Sequence, residues 1–238
     1  MRILVTRPAP DDAKHAAALR ARGHDPVLSP LFDIKFEQPR LDLDGVQALV
    51  VTSRNALRAL ALHPHAKQLS HLPLFTVGEA TTTAASELGF AQVTTGPGKA
   101  AGLAERLRAE LDPANGALLH LAGGDLAFDL CSALPLFELR QPVLYRAVPA
   151  AALPEEVSRA LKTGKIDAAI LMSPRSAEIF VSLLRKEDAM EPGSRLICYC
   201  LSEAVAEAAS PLGSRLRVAA TPQEEDILAL IDSDAASL

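Results

Sequence analysis

The feature that most constrains the fold of this chain is an internal repeat. Residues 52–56 read Thr-Ser-Arg-Asn-Ala and residues 173–177 read Ser-Pro-Arg-Ser-Ala, and each segment follows a short apolar run. Residues 78–89 and 202–213 also match, through shared Glu-Ala, Ala-Ala-Ser and Leu-Gly, and they occur in the same order. The offsets are 121 and 124 residues, so one small insertion relates the two halves. The repeat predicts two similar domains.

Short apolar runs alternate with Ala- and Leu-rich stretches along the chain. Residues 3–6 predict a strand, residues 11–22 a helix ended by Gly23, and residues 27–29 a second strand. The alternation continues with strands at 48–51, 74–77, 117–121, 168–172 and 196–200, followed by helices at 55–62, 80–88, 126–134, 176–184 and 204–209. Such alternation indicates parallel sheets with right-handed crossovers. The predicted fold class is α/β, with two doubly wound parallel-sheet domains.

Two segments interrupt the alternation and locate the domain boundary. Residues 31–36 and residues 143–148 look like strands that no helix follows. We therefore expect them to form a two-stranded β-ribbon linker. It would join an inserted domain, residues 37–142, to a discontinuous domain, residues 1–30 with 149–238.

Charge and hydropathy exclude several classes of partner. The 24 Lys and Arg residues against 29 Asp and Glu give a net charge of −5, which argues against binding to nucleic acid or an anionic membrane. No window approaches the roughly 18 apolar residues of a spanning helix. The opening apolar run stops at Arg7 and Pro8, too early for a signal peptide. We expect a cytoplasmic protein.

The motifs for nucleotide cofactors and metals are absent from the sequence. There is no dinucleotide-binding, P-loop, α/β-hydrolase or zincin signature. Cys198 and Cys200 would share one face of a strand and pack as small apolar groups. His63, His65 and His71 flank a proline in a polar connector, which favours a solvated loop over a metal site. Neither a cofactor nor a metal is expected.

Polar residues follow nearly every predicted strand. In open parallel sheets the ligand lies beyond the carboxyl ends of the strands, over helix N-termini that favour anions. Taken one at a time, these serines and threonines fit simple helix capping. Three arginines at the same edges exceed what capping needs and predict a site for carboxylates or phosphates. The candidate substrate-binding residues are Arg7, Thr52, Ser53, Gly78, Thr81, Gly123, Ser173, Arg175 and Ser202.

Five short motifs occur in a fixed order along the chain. They are Thr-Arg-Pro at 6–8, Val-Thr-Ser-x-x-Ala at 51–56, Val-Gly-x-x-Thr at 77–81, Leu-Tyr-Arg at 144–146 and Ser-Pro-x-Ser-Ala at 173–177. As an ordered set they resemble the uroporphyrinogen-III synthase family. The resemblance implies a monomer that acts on a small molecule, hydroxymethylbilane, a linear tetrapyrrole with eight carboxylates. The product would be cyclic uroporphyrinogen III, formed with inversion of ring D and loss of water.

The resemblance also singles out Tyr145 as the one catalytic candidate. A phenol is neutral at pH 7, so it can donate a proton to the departing ring A hydroxyl without burying a charge. Two alternatives stay open. Residues 201–203 read Leu-Ser-Glu where the family more often has Gly-x-Thr/Ser-Thr, which allows a non-catalytic module that binds a tetrapyrrole or another anion. A transferase acting on a nucleotide sugar would instead require a diphosphate site.

Overall fold

The computed structural model describes residues 1–236, which divide into two compact units. Unit 1 comprises Met1–Asp33 and the chain from Val148 onward, and unit 2 comprises Ile34–Ala147. The chain therefore passes between the units twice, within the two segments that the sequence analysis assigns to a ribbon. The α/β class with two parallel sheets is confirmed.

The elements of both units alternate along the chain. The strands are β1 (Arg2–Val5), β2 (Asp25–Leu28), β3 (Phe32–Phe36), β4 (Val46–Val51), β5 (Leu74–Thr76), β6 (Val93–Thr95), β7 (Ala117–Gly123), β8 (Leu139–Arg140), β9 (Val143–Pro149), β10 (Ala168–Leu171), β11 (Ile197–Cys200) and β12 (Arg215–Val218). The helices are α1 (Asp11–Ala21), α2 (Arg54–Ala61), α3 (Ala66–Leu69), α4 (Glu79–Glu87), α5 (Ala100–Glu110), α6 (Leu130–Ala133), α7 (Glu155–Lys162), α8 (Pro174–Lys186), α9 (Met190–Ser194), α10 (Glu203–Ala209) and α11 (Glu224–Ala235).

Unit 1 is built on a parallel sheet with strand order β12, β11, β10, β1, β2. Successive side chains of a strand point to opposite faces, and both faces are apolar here. Ile3 packs with Ile227 of α11 on one face, whereas Leu4 packs with Phe180 of α8 on the other. Cys198 is also buried, on the α8 face.

Unit 2 has a sheet with strand order β3, β9, β7, β4, β5, β6, and β8 pairs with β7 beside this path. The two strands that pass between the units, β3 and β9, are hydrogen-bonded neighbours. Val51 packs with Leu57 of α2 on one face of the sheet, and Val50 packs with Leu103 of α5 on the other. The apolar strand residues predicted from the sequence thus lie between two helical layers.

Two local predictions are wrong. The helix expected at 126–134 is only the single turn α6, because Asp129 caps it by accepting the Ser132 N–H at 3.1 Å. His63, expected in a solvated loop, is 6% exposed, and its Nε2 lies 3.0 Å from the carbonyl oxygen of Pro39. This histidine ties the connector to the preceding segment. Within residues 1–236 no helix has the length and apolarity needed to cross a membrane.

Candidate active site

The predicted site residues lie at the carboxyl edges of the two sheets. In unit 2, Val51 is level with Thr76 of β5 and with Leu121 of β7, so β4, β5 and β7 end side by side. The residues at this edge are Thr52, Ser53, Gly78, Thr81, Gly123 and Tyr145. The residues at the corresponding edge of unit 1 are Arg7, Ser173, Arg175 and Ser202.

Tyr145 lies directly over Gly123. The two residues are paired in register between β9 and β7, and the Gly124 N–H donates to the Tyr145 carbonyl at 2.8 Å. A Cβ atom on Gly123 would fall 2.5 Å from Cζ of Tyr145 and 2.7 Å from its hydroxyl oxygen. Only glycine leaves room for the ring in this position. The ring is partly buried, and its hydroxyl makes no hydrogen bond to the residues that the structure describes.

Gly123 therefore differs from what the sequence analysis expects of a substrate contact. Its surface is buried, and the ring of Tyr145 covers it. The physical role that the geometry supports is to permit the close approach of the ring, as glycine does wherever two chain segments nearly touch. Direct contact between Gly123 and substrate stays a prediction.

A histidine that the sequence analysis missed lies behind Thr52. His120 of β7 is 1% exposed; its Nε2 lies 3.3 Å from the Thr52 hydroxyl, and its Nδ1 lies 2.9 Å from Oε1 of Gln141. Burial lowers the pKa of His120, and the hydrogen bond with Gln141 raises it in part. The available signal was a single histidine inside the apolar strand predicted at residues 117–121.

Gly78 immediately precedes helix α4 and provides no side-chain cap. Its backbone is extended, with φ −179° and ψ 177°, and the Thr81 N–H donates to its carbonyl at 3.0 Å. The N–H groups of Glu79 and Ala80 precede the first intrahelical bond, so they can take an acceptor from outside the helix. Thr81, expected to contact substrate, is only 5% exposed. The accessible donors at this turn are therefore backbone amides.

Arg7 is held by two carboxylates of its own unit. Its Nη1 lies 2.7 Å from Oε2 of Glu224 at the start of α11, and its Nη2 lies 3.6 Å from Oδ2 of Asp11 in α1. A substrate carboxylate would have to displace Glu224 to form a comparable bond. Arg175 stacks over the ring of Phe32, with its Cζ atom 5.0 Å from the ring centroid. Roles for Arg7 and Arg175 in substrate binding stay predictions.

The serines at the strand ends fall into two groups. Ser53 accepts the Asn55 N–H at 3.2 Å, and Ser173 accepts the Ser176 N–H at 3.1 Å. The Ser176 hydroxyl in turn accepts the Ser173 N–H at 3.0 Å, which completes a reciprocal cap. Ser202 precedes α10 and makes no such side-chain bond. Helix capping thus accounts for Ser53 and Ser173, and it does not account for Ser202.

A second buried histidine, His15 of α1, was also missed. It is fully buried, and neither ring nitrogen has a hydrogen-bond partner among the described residues. Burial lowers its pKa most; the charge of Glu224 raises it and that of Arg7 lowers it. His15 is therefore neutral at pH 7, within electrostatic reach of Arg7 and Glu224.

Comparison with known proteins finds one matching family and several solved structures with a similar fold. The family model described as uroporphyrinogen-III synthase HemD matches residues 13–230. The structure of uroporphyrinogen-III synthetase from Helicobacter pylori 26695 is 20% identical, with 98% of each chain covered and a TM-score of 0.70. A mutant uroporphyrinogen III synthase from Thermus thermophilus is 16% identical over 100% of this chain and 98% of that one, with a TM-score of 0.57. Among curated proteins, no match is found.

Proposed function

The chain belongs to the uroporphyrinogen-III synthase family and cyclises hydroxymethylbilane to uroporphyrinogen III, and we propose that the phenol of Tyr145 is its proton donor. The reaction removes the ring A hydroxyl as water, and ring D then attacks the resulting azafulvene and is inverted through a spiro intermediate. The steps need a proton for the leaving hydroxyl and a site that prevents direct closure to the symmetric type I isomer. Much of the catalysis then comes from orientation of the substrate.

The observation that carries this proposal is the free hydroxyl of Tyr145 above Gly123. A tyrosine that serves packing alone normally satisfies its hydroxyl within the protein, as Tyr199 does with Asp234 at 3.3 Å. The hydroxyl of Tyr145 has no partner in residues 1–236, although the ring is held over the end of β7. It is therefore available to donate to an oxygen of the substrate. Because the phenol is neutral at pH 7, it adds no negative charge beside a polyanion.

Backbone amides are the proposed ligands of the substrate carboxylates. At Gly78 the first N–H groups of α4 are uncapped, and at Ser202 no side chain caps α10. Helix N-termini favour anions through these N–H groups and the helix dipole. Glu79 and Glu203 stand in the first turns of the same helices, so the attraction comes from directed hydrogen bonds and not from net charge. The Ser53 hydroxyl would add a donor at the unit 2 edge. Thr52 and Thr81 stay proposed substrate contacts at this edge and are not assigned to the carboxylates.

Arg7 would add a charged ligand only by exchanging partners. Arg7→Ala should raise KM about threefold, less than a full charged hydrogen bond would give, because Glu224 and Asp11 compete for the guanidinium. Glu224→Gln weakens that competition and should lower KM. If neither variant changes KM while both lower the melting temperature, Arg7 only ties α1 to α11.

The activity itself is tested by the isomer formed. Hydroxymethylbilane closes spontaneously to the type I product, so the purified protein should produce the type III isomer faster than type I appears in its absence. Failure to do so would favour the non-catalytic binding module. We further propose that the active form is a cytoplasmic monomer. Size-exclusion chromatography of the active fraction would check its oligomeric state.

A further inference from the structure

Three polar side chains form a hydrogen-bonded chain inside unit 2. Gln141, between β8 and β9, lies 2.9 Å from Nδ1 of His120, and Nε2 of His120 lies 3.3 Å from the hydroxyl of Thr52. His120 is 1% exposed, whereas Thr52 is partly exposed at the end of β4. These hydrogen bonds thus connect a buried histidine to a hydroxyl at the carboxyl edge of the sheet.

The partners determine the direction of each hydrogen bond. The amide oxygen of Gln141 can only accept, so Nδ1 of His120 carries the proton of the neutral ring. Burial favours the neutral imidazole. Its Nε2 then has a lone pair and no proton, so the hydroxyl of Thr52 must donate to it. The hydroxyl hydrogen of Thr52 points inward, and the oxygen can only accept from outside.

We propose that Gln141 and His120 are positioning residues that fix Thr52 as a hydrogen-bond acceptor for an N–H or O–H donor of the substrate. The inference rests on the proposed function and refines the role of Thr52 within it. At neutral pH the substrate carboxylates are ionised and can only accept, so an acceptor oxygen repels them. The donors of hydroxymethylbilane are its pyrrole N–H groups and its ring A hydroxyl. Thr52 therefore selects the tetrapyrrole skeleton or the leaving group instead of a carboxylate.

The decisive variant reverses the direction of the hydrogen bond between His120 and Thr52 without removing a contact. In Gln141→Glu the carboxylate still accepts from Nδ1, but it also stabilises the imidazolium, whose Nε2–H then donates to Thr52. The Thr52 hydroxyl hydrogen is turned outward, so the acceptor is lost. We expect KM to rise about five- to tenfold with kcat changed less than about twofold, the size of effect expected for one hydrogen bond. Gln92→Glu, which adds the same charge at an exposed position of unit 2, should leave both constants unchanged.

The double variant shows whether the effect passes through Thr52. Thr52→Val keeps the shape and removes the hydroxyl, so it should raise KM about as much as Gln141→Glu does. Adding Gln141→Glu to Thr52→Val should then change KM no further, because the two residues act through one bond. Thr52→Ser keeps the hydroxyl and should bring KM back from the Thr52→Val value toward that of the wild type. This serine and valine pair tests the same bond should Gln141→Glu fail to fold.

Inhibition by the product separates the two donors. Uroporphyrinogen III retains the pyrrole N–H groups and lacks the ring A hydroxyl. Weaker product inhibition in Gln141→Glu assigns the contact to a pyrrole N–H, and unchanged inhibition with a raised substrate KM assigns it to the hydroxyl. A wild-type KM in Gln141→Glu, or a further KM increase in the Thr52→Val background, overturns the proposal. A wild-type protein that forms no type III isomer instead overturns the proposed function.

Discussion

The carboxyl edges of the two sheets have similar turns and differ in which of their polar groups are already bonded. In unit 1, Arg7 is paired with Glu224, and Ser173 exchanges hydrogen bonds with Ser176. In unit 2, the hydroxyl of Tyr145 has no partner among the described residues. Duplication thus places polar residues at equivalent positions, whereas their availability to a ligand depends on neighbours that the repeat does not share. Because Ser53 in unit 2 is bonded and Ser202 in unit 1 is not, the difference between the edges rests on one group, the free phenol of Tyr145.

Tyr145→Phe should have the largest effect on activity. It removes the proposed proton donor and keeps the ring over Gly123, so kcat should fall roughly 10²- to 10⁴-fold while the melting temperature stays nearly unchanged. The control is Tyr199→Phe in unit 1, where the hydroxyl lies 3.3 Å from Asp234 in the core. That variant should lower stability and leave kcat unchanged. Full activity of Tyr145→Phe would place the proton donor elsewhere.

Gly123→Ala should have the next largest effect. The added Cβ would fall 2.5 Å from Cζ of Tyr145, so the ring must move, and a displacement of about 1 Å can lower kcat by up to about 100-fold. In the control, Gly124→Ala, the added Cβ meets Arg146, 3.0 Å from its Nη1 and 3.1 Å from its Cγ. That side chain is exposed and can move aside. If steady-state kinetics give the same kcat for Gly123→Ala and Gly124→Ala, then Gly123 does not position Tyr145.

Each unit has a buried histidine, His15 in unit 1 and His120 in unit 2, that should make the free energy of unfolding depend on pH. The folded state keeps His15 neutral, with a pKa below 6.5, while the unfolded chain binds a proton near 6.5. As the pH falls below 6.5, the unfolded state takes up more protons, so the free energy of unfolding decreases by at most about 1.4 kcal/mol per pH unit until the folded pKa is reached. His15→Leu should remove this contribution in denaturant titrations at about pH 7.5 and 5.5.

His120→Leu provides the matched variant in unit 2. It should also reduce the loss of stability in acid, because burial lowers the pKa of His120 as well. At about pH 7.5, however, it should lower the free energy of unfolding, since it removes the bonds to Thr52 and Gln141. His15→Leu removes no hydrogen bond, so it should not lower the free energy of unfolding at that pH. Equal pH dependence in wild type and His15→Leu would rule out His15 as an acid-sensitive group.

Ser173→Ala and Ser202→Ala should give the smallest effects, in different measurements. Loss of the reciprocal cap at Ser173 should lower the free energy of unfolding by about 1 kcal/mol, with little change in KM. Ser202 caps nothing with its side chain, so its replacement should leave stability unchanged and raise KM about two- to threefold if it binds substrate. If thermal melts show a loss of stability only for Ser202→Ala and kinetics show a raised KM only for Ser173→Ala, then Ser202 is the cap and Ser173 the substrate contact.

The parallel sheets and the turns could be predicted because local sequence determines them. An apolar run of four to six residues followed by a polar turn and a helix specifies a strand that ends at the ligand-binding edge of a sheet. The sequence predicts too long a helix at 126–134 because the leucines there suggest helical spacing, while Asp129 caps a much later start. Boundaries set by a single cap are hard to predict without the backbone geometry.

The pairings at the edges could not be predicted, because they join residues far apart in the chain. Glu224 reaches Arg7 across 217 positions, and Gln141 reaches His120 across 21. A lone histidine in an apolar strand has no spacing that reveals its partners, and the same is true of a glycine beneath a tyrosine. Such contacts depend on strand order and register, which a single sequence does not determine.

The ribbon gives the chain an unusual connectivity. On the unit 1 side the Ala150 N–H donates to the Leu31 carbonyl at 2.9 Å, and on the unit 2 side the Glu37 N–H donates to the Leu144 carbonyl at 2.7 Å. In topological terms the whole of unit 2 is a loop whose two ends are fixed one hydrogen bond apart. Because closure entropy grows only with the logarithm of loop length, closing a flexible loop as long as unit 2 would cost unit 1 about 3 kcal/mol more than closing a four-residue hairpin. The ribbon is therefore a natural point for circular permutation or for exchange of the inserted domain.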